Sequence, residues 1–241
     1  MHAEDHSLFF VSDIRENTAV FSGDESHHMV SVLRAAPCAV IRATDGQGRL
    51  YRCSLEGFNA KAGEALVLET IVHEMPKPHV HAYVCMPERD PFEEVITNLT
   101  ALGVMEITPV VSRFCQQKWW SNWDKYEERF HKKMVSALKQ SMNVWMPRLT
   151  APIPFVAAVE KTAGLVTIVV DGSGKPCCDV LHSMTTDNQT GCFVGPPGGL
   201  APDELETLVH GGAQCVSLGR TRLRTELAAV VLCSTVLQIH P

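Results

Sequence analysis

The four residues Met75-Pro76-Lys77-Pro78 divide two patterns of apolar residues that a single sheet type cannot accommodate. Two prolines so close together forbid helix and remove two backbone donors, so the segment reads as a stiff connection between domains. Before it, apolar runs at 39–43, 50–55 and 65–71 are separated by Asp45-Gly46-Gln47-Gly48 and Asn59-Ala60-Lys61-Ala62-Gly63. Short strands joined by Gly-rich turns predict a small antiparallel barrel, with one short helix at 25–34. After the prolines, strands and helices alternate. Residues 80–86, 107–114, 165–170, 191–194 and 214–218 read as strands, and 126–142, 176–184, 203–210 and 226–238 as helices. A further helix carries Phe92, Val95, Ile96, Leu99 and Leu102 at helical spacing, with Asp90 as its expected N-cap and Gly103 as its stop. The β-branched run at 165–170 suits a parallel strand covered on both faces. The expectation is an α/β protein: a β-barrel domain over 1–75 and an open parallel-sheet domain over 79–241.

Composition narrows the function classes. With 45% hydrophobic residues in 241, the chain can fill a substantial core. Lys and Arg number 21 against 27 Asp and Glu, a net charge of -6, which excludes the strongly basic signature of a bulk nucleic-acid binder but not a local basic patch. The longest apolar run, 227–239, is too short for a membrane span and is broken by Ser234, Thr235 and Gln238. The first six residues carry Glu4 and Asp5 and no apolar stretch, so no leader is expected and the cytoplasm is the expected location. Nine cysteines without a C-x-x-C read as reduced core thiols. His73, His79 and His81 flank the linker as weak zinc candidates, and no metal site is expected. Trp119, Trp120 and Trp123 read as core or interface aromatics before RNA-stacking ones.

In open α/β sheets ligands bind beyond the carboxyl ends of the strands, which directs attention to the loops after Val170, Val194 and Leu218. Gly195-Pro196-Pro197-Gly198-Gly199 follows one strand directly, and three glycines permit close approach of a ligand to the backbone. It matches neither phosphate-binding glycine pattern. The next helix opens with Asp203, Glu204 and Glu206, which predicts repulsion of an anionic ligand and disfavours a nucleotide-phosphate enzyme using ATP or NAD. The second loop, 218–226, carries Arg220, Arg222 and Arg224 within five positions, an arrangement suited to an anion or RNA backbone.

Gly195-Pro196-Pro197-Gly198-Gly199, then Val216-Ser217-Leu218-Gly219, then Leu223-Arg224-Thr225-Glu226-Leu227-Ala228 resemble the closing signature of the ribosomal RNA small subunit methyltransferase E family, within the SPOUT superfamily. His27-His28 with Val32-Leu33-Arg34, Asp45-Gly46-Gln47-Gly48, Leu102-Gly103-Val104 with Ile107 and Pro109, and Gln140-Ser141 with Pro147 extend the likeness in order along the chain. The resemblance implies a PUA-like RNA-binding barrel followed by a SPOUT-type domain with a C-terminal trefoil knot. It further implies a homodimer that uses S-adenosylmethionine to methylate N3 of a uridine in 16S ribosomal RNA or the small ribosomal subunit. On that basis Gly195, Pro196, Gly198, Gly199, Leu218, Gly219, Leu223 and Thr225 are expected to hold the cofactor. Arg224 is expected to stabilise charge on the base and Glu226 to orient it or accept its proton. Thr225 and Glu226 equally suit the cap and first turn of the last helix. Arg34, Arg49, Arg52, Arg220 and Arg222 are the expected RNA contacts. The chain departs from the family's pattern at Asn98, Ala101, Lys139, Asn143 and Pro197, which suggests one altered polar network near the cofactor or RNA. Those departures motivate a second reading, a catalytically impaired RNA-binding or ribosome-assembly protein on the same fold.

Overall fold

A computed structural model describes residues 7–33, 39–59, 63–116, 118–184 and 189–239. The chain divides into two compact units, one of Met1–Met75 with Val135–Met146 and one of Pro76–Met134 with Pro147–Pro241. Residues 135–146, which the sequence division leaves in the second segment, thus cluster with the first.

The first unit contains β1 (Leu8–Phe10), β2 (Asp13–Arg15), β3 (Thr18–Val20), α1 (Gly23–Leu33), β4 (Val40–Thr44), β5 (Arg49–Asn59) and β6 (Glu64–Val72). The six strands pair in the order β1-β4-β5-β6-β3-β2. Their pairing corrects the all-antiparallel expectation, because β1 runs parallel to β4. Alternation at period two puts Ile41 and Ala43 of β4, and Tyr51, Cys53 and Leu55 of β5, into one core with Phe9, Phe21 and Met29. Burial pushes the Cys53 thiol up to about 12, so it packs as a small apolar group. The turn after β4 needs its glycines: Gly46 and Gly48 have φ of 73° and 82°. A Cβ on Gly48 would lie 2.2 Å from the Trp145 ring. Lys139 pairs with the buried Glu25 of α1, whose second oxygen accepts the Phe10 N–H.

In the second unit come β7 (Val80–Cys85), α2 (Arg89–Leu102), β8 (Glu106–Val111), α3 (Asp124–Gln140, which passes into the first unit at Val135), β9 (Arg148–Leu149), β10 (Ile153–Pro154) and α4 (Phe155–Lys161). They are followed by β11 (Val166–Pro176), α5 (Cys177–His182), β12 (Thr190–Val194), α6 (Pro202–His210), β13 (Gln214–Ser217) and α7 (Thr225–Ile239). The strand order is β10-β8-β7-β12-β11-β13, with β9 also on β8, and every pairing is parallel. Each residue of β12 is buried. Phe193 stacks on Tyr83 of β7 and joins the core against α4 and α6, while Cys192, one residue earlier, is buried beside Cys233 of α7 on the other face.

Several sequence boundaries move. α2 begins one residue before Asp90, which lies in its first turn and pairs with Arg89, so Asp90 is not the N-cap. Gly103 does end α2, in the left-handed conformation that a side chain would strain. β8 stops at Val111, short of the expected 114. β11 runs past Val170 through a bulge at residues 171–174 and resumes pairing with β13 at Lys175. Among the described residues no helix is long and apolar enough to cross a membrane.

One buried carboxylate ties α2 to α3. Glu93 is 5% exposed and accepts two hydrogen bonds from Arg129, at 2.7 and 2.9 Å, with Lys133 at 3.1 Å. Burial alone raises this carboxyl, but Arg129 and Lys133 outweigh it and hold it below the usual carboxylate range. Its stabilisation is therefore present above that range and is lost as pH falls through it. Glu93→Gln is expected to cost about 1–3 kcal/mol at neutral pH, the gap from wild type narrowing as pH drops below about 4; urea denaturation across that interval measures it.

Candidate active site

At the carboxyl ends of β11, β12 and β13 the chain encloses a cleft of about 540 Å³. Its walls are the bulge of β11 at Asp171 and Gly172, the glycine loop after β12, and the loop from Ser217 to Thr225. The glycine loop is a tight turn: the Gly199 N–H donates to Pro196 O at 2.7 Å, and Gly199 has φ of 82°. Gly219, with φ of 139°, makes the corresponding bend after β13, where the Ser217 hydroxyl donates to Gly219 O at 3.2 Å. A Cβ at Gly199 or Gly219 would meet no atom within 4 Å, whereas one at Gly198 would crowd Phe114 at 3.3 Å.

Two hydrogen bonds close one loop onto the other. The Thr225 hydroxyl, in a residue only 4% exposed, donates to Gly195 O at 3.0 Å, and the Arg222 guanidinium donates to Pro197 O at 3.0 Å. The expectation of Thr225 as N-cap is corrected: it is the first residue of α7, and its hydroxyl proton is committed to the glycine loop.

A second cavity of about 360 Å³ adjoins the first and shares Pro197, Arg222 and Leu223 with it. Its polar lining is Glu88, Gln116, Arg222, Arg224 and Glu226, set among Met86, Pro87 and Pro91. The sequence-predicted residues thus sort themselves. Gly195, Pro196, Gly198, Gly199, Leu218, Gly219 and Thr225 line the first cavity, Arg224 and Glu226 line the second, and Leu223 lines both. Arg220 and Arg222 border the first. Arg49 and Arg52 lie in the first unit, where they pair with Asp45 at 3.4 Å and with Glu69 at 2.9 Å. Arg34 lies outside the described residues.

Sequence reasoning missed the far wall of the second cavity, Pro87 to Pro91 and Gln116. No glycine marks it, the charges at Glu88, Arg89 and Asp90 read as the start of a helix, and the neighbouring ends of β7 and β8 bring it together. It also misread the start of α6. Glu204 is buried, accepting the N–H of Arg113 at 2.9 Å and that of Ala201 at 3.0 Å. Asp203 takes the Arg113 guanidinium at 2.7 Å, which holds its carboxyl below the usual range. These acids clamp the loop after β8 and are not spare charges facing a ligand.

The five departures from the family's pattern have different local surroundings. Lys139 pairs with Glu25, the Asn143 side chain accepts the Trp145 N–H at 3.0 Å, Asn98 lies exposed on α2, and Ala101 is half-buried near the end of that helix. Of the five positions, Pro197 is the one that lines the cavities.

Residues 73–237, which contain the all-parallel sheet and the glycine-walled cleft at its strand ends, match the family model described as RNA methyltransferase domain, which makes this the class of the second unit. Residues 21–68 match the model described as RNA methyltransferase PUA domain. The ribosomal RNA small subunit methyltransferase E of Mycobacterium tuberculosis is 32% identical, over 95% of this chain and 90% of that protein. The protein of that name from Bacillus subtilis is 24% identical, over 91% and 89%. A structure of the Neisseria gonorrhoeae protein of that name, bound to S-adenosyl methionine, superposes with a TM-score of 0.84 at 22% identity, covering 97% of each chain. The chain belongs to the ribosomal RNA small subunit methyltransferase E family.

Thr225→Val removes the hydroxyl that joins α7 to the glycine loop while keeping its volume. It is expected to cost about 1–2 kcal/mol in denaturant unfolding, because Gly195 O loses its donor.

Proposed function

We propose that this chain uses S-adenosylmethionine to methylate N3 of a uridine in 16S ribosomal RNA, as free RNA or within the small subunit. The adjoining of two cavities across Pro197, Arg222 and Leu223 carries the reading, since donor and acceptor must meet within reach of one transferred methyl. The first cavity fits the cofactor: backbone groups at Gly195, Gly198 and Gly219 with apolar Leu218 and Leu223 suit an adenosyl group, and a side chain at Gly199 or Gly219 would project into its space. S-adenosylmethionine supplies a methyl activated on a sulfonium sulfur, which leaves as a neutral thioether.

This chain's residues then act on the base. Arg224 stabilises the negative charge that develops on the imide as N3 loses its proton. Glu226 accepts that proton while the N3–methyl bond forms. Arg220 and Arg222 contact RNA phosphate. In the first segment, 1–75, we assign RNA contact to shape and to Arg34, Arg49 and Arg52, with a modest salt slope.

The C-terminal part is read as a trefoil knot, in keeping with the packing of α7 against β7, β12 and α2. We also assign a cytoplasmic homodimer. Leu227 supports the dimer: it is 48% exposed on a helix whose other face, Ala228, Ala229, Leu232 and Val236, is buried.

The test is methyl transfer from S-adenosylmethionine to small subunits of a strain lacking the modification, with the product nucleoside identified. Gly219→Leu is expected to abolish cofactor binding in calorimetry. Arg224→Ala is expected to lower transfer by about 10²-fold with cofactor affinity unchanged. Absence of transfer by the wild type, under conditions where a family member is active, would sink the reading.

A further inference from the structure

We propose that the second cavity is the seat of the target base and that Gln116 is a substrate-contacting residue within it, donating to one of the two carbonyls that flank N3. The proposal rests on the methyl-transfer reading above. A cavity of about 360 Å³ lies at the small end of ligand pockets, the scale of one nucleoside. Its apolar walls, Pro87, Pro91 and Leu223, suit the faces of a flat pyrimidine.

The choice of Gln116 follows from donor chemistry. Loss of the N3 proton spreads negative charge over N3 and both neighbouring carbonyl oxygens, so two donors are needed, one on each side. Of the side chains lining the cavity, Arg222, Arg224 and Gln116 carry donors at neutral pH, and the 3.0 Å bond from Arg222 Nη2 to Pro197 O holds that guanidinium against the glycine loop shared with the first cavity. Arg224 therefore serves one carbonyl and the Gln116 amide the other. Glu88 and Glu226 offer acceptors, which suit the N3 proton and repel the carbonyls.

Both walls are fixed before substrate arrives. Gln116 sits on the loop that Glu204 and Asp203 clamp through Arg113. Pro87 O accepts the indole N–H of Trp119 at 3.0 Å, and Trp119 packs against Phe92 and Phe130. The aromatic cluster thus positions the wall on which the base rests.

Gln116→Ala is expected to reduce kcat/KM for RNA methylation by about 10- to 100-fold, with cofactor affinity within twofold of wild type. The rise of rate with pH should move to higher pH, because the imide must ionise without that donor, and Gln116→Glu should move it further. A wild-type rate and pH profile in both variants would overturn the proposal. So would a loss of cofactor affinity or thermal stability that accounts for the slower rate. A wild-type protein that binds S-adenosylmethionine but methylates no RNA would fail the underlying reading instead, and this one with it.

Discussion

β12 must find hydrogen-bonding partners on both edges and cover on both faces, and the second unit is organised by that requirement. Its five residues, Thr190 to Val194, are buried and pair in parallel with β7 on one side and β11 on the other. Parallel strands need crossover connections, which place helices over both faces of the sheet. Period-two alternation then sends Phe193 to the α4 and α6 side and Cys192 to the α7 side. Because every strand runs the same way, the loops that follow β11, β12 and β13 emerge at one end, and the cleft is the space they leave.

What those loops do depends on being held. Unrestrained, three glycines in five residues would add conformational freedom that any bound ligand must remove. Here the carbonyls of Gly195 and Pro197 accept from Thr225 and Arg222, so the second loop braces the first. The acidic start of α6 plays a comparable part for the loop after β8. Arg49 and Arg52 of the first unit are surface arginines paired with Asp45 and Glu69.

Much of this was legible in the residues. Helical spacing from Phe92 to Leu99, the stop at Gly103 and the β-branched run before Asp171 are local signals, and the elements form there because backbone preference and burial agree. The glycine loop was conspicuous for its own composition. Pairwise clamps were not legible: nothing local says that Glu204 reaches Arg113, 91 residues away, or that Gln116 and Pro91 share a cavity. Thr225 looked like a cap because its place before a helix is the usual one, and only the approach of Gly195 redirects its hydroxyl. The parallel pairing of β1 with β4 was hidden for the same reason, since three residues carry no sign of their partner.

Trp145 and Lys139 lie far along the chain, yet they complete the unit that begins at the N-terminus. Gly48 makes room for the Trp145 ring and donates its N–H to Val144 O at 2.8 Å, and Glu25 has its cation in Lys139. During synthesis the strands from Leu8 to Val72 are made first, but the buried Glu25 carboxylate waits for its partner until residue 139 has left the ribosome. A fragment cut after Met75 would expose Gly48 and leave Glu25 without that cation. The N-terminal β unit is therefore contiguous in space but not in sequence, and its maturation is coupled to translation of the chain well past the prolines at 76 and 78.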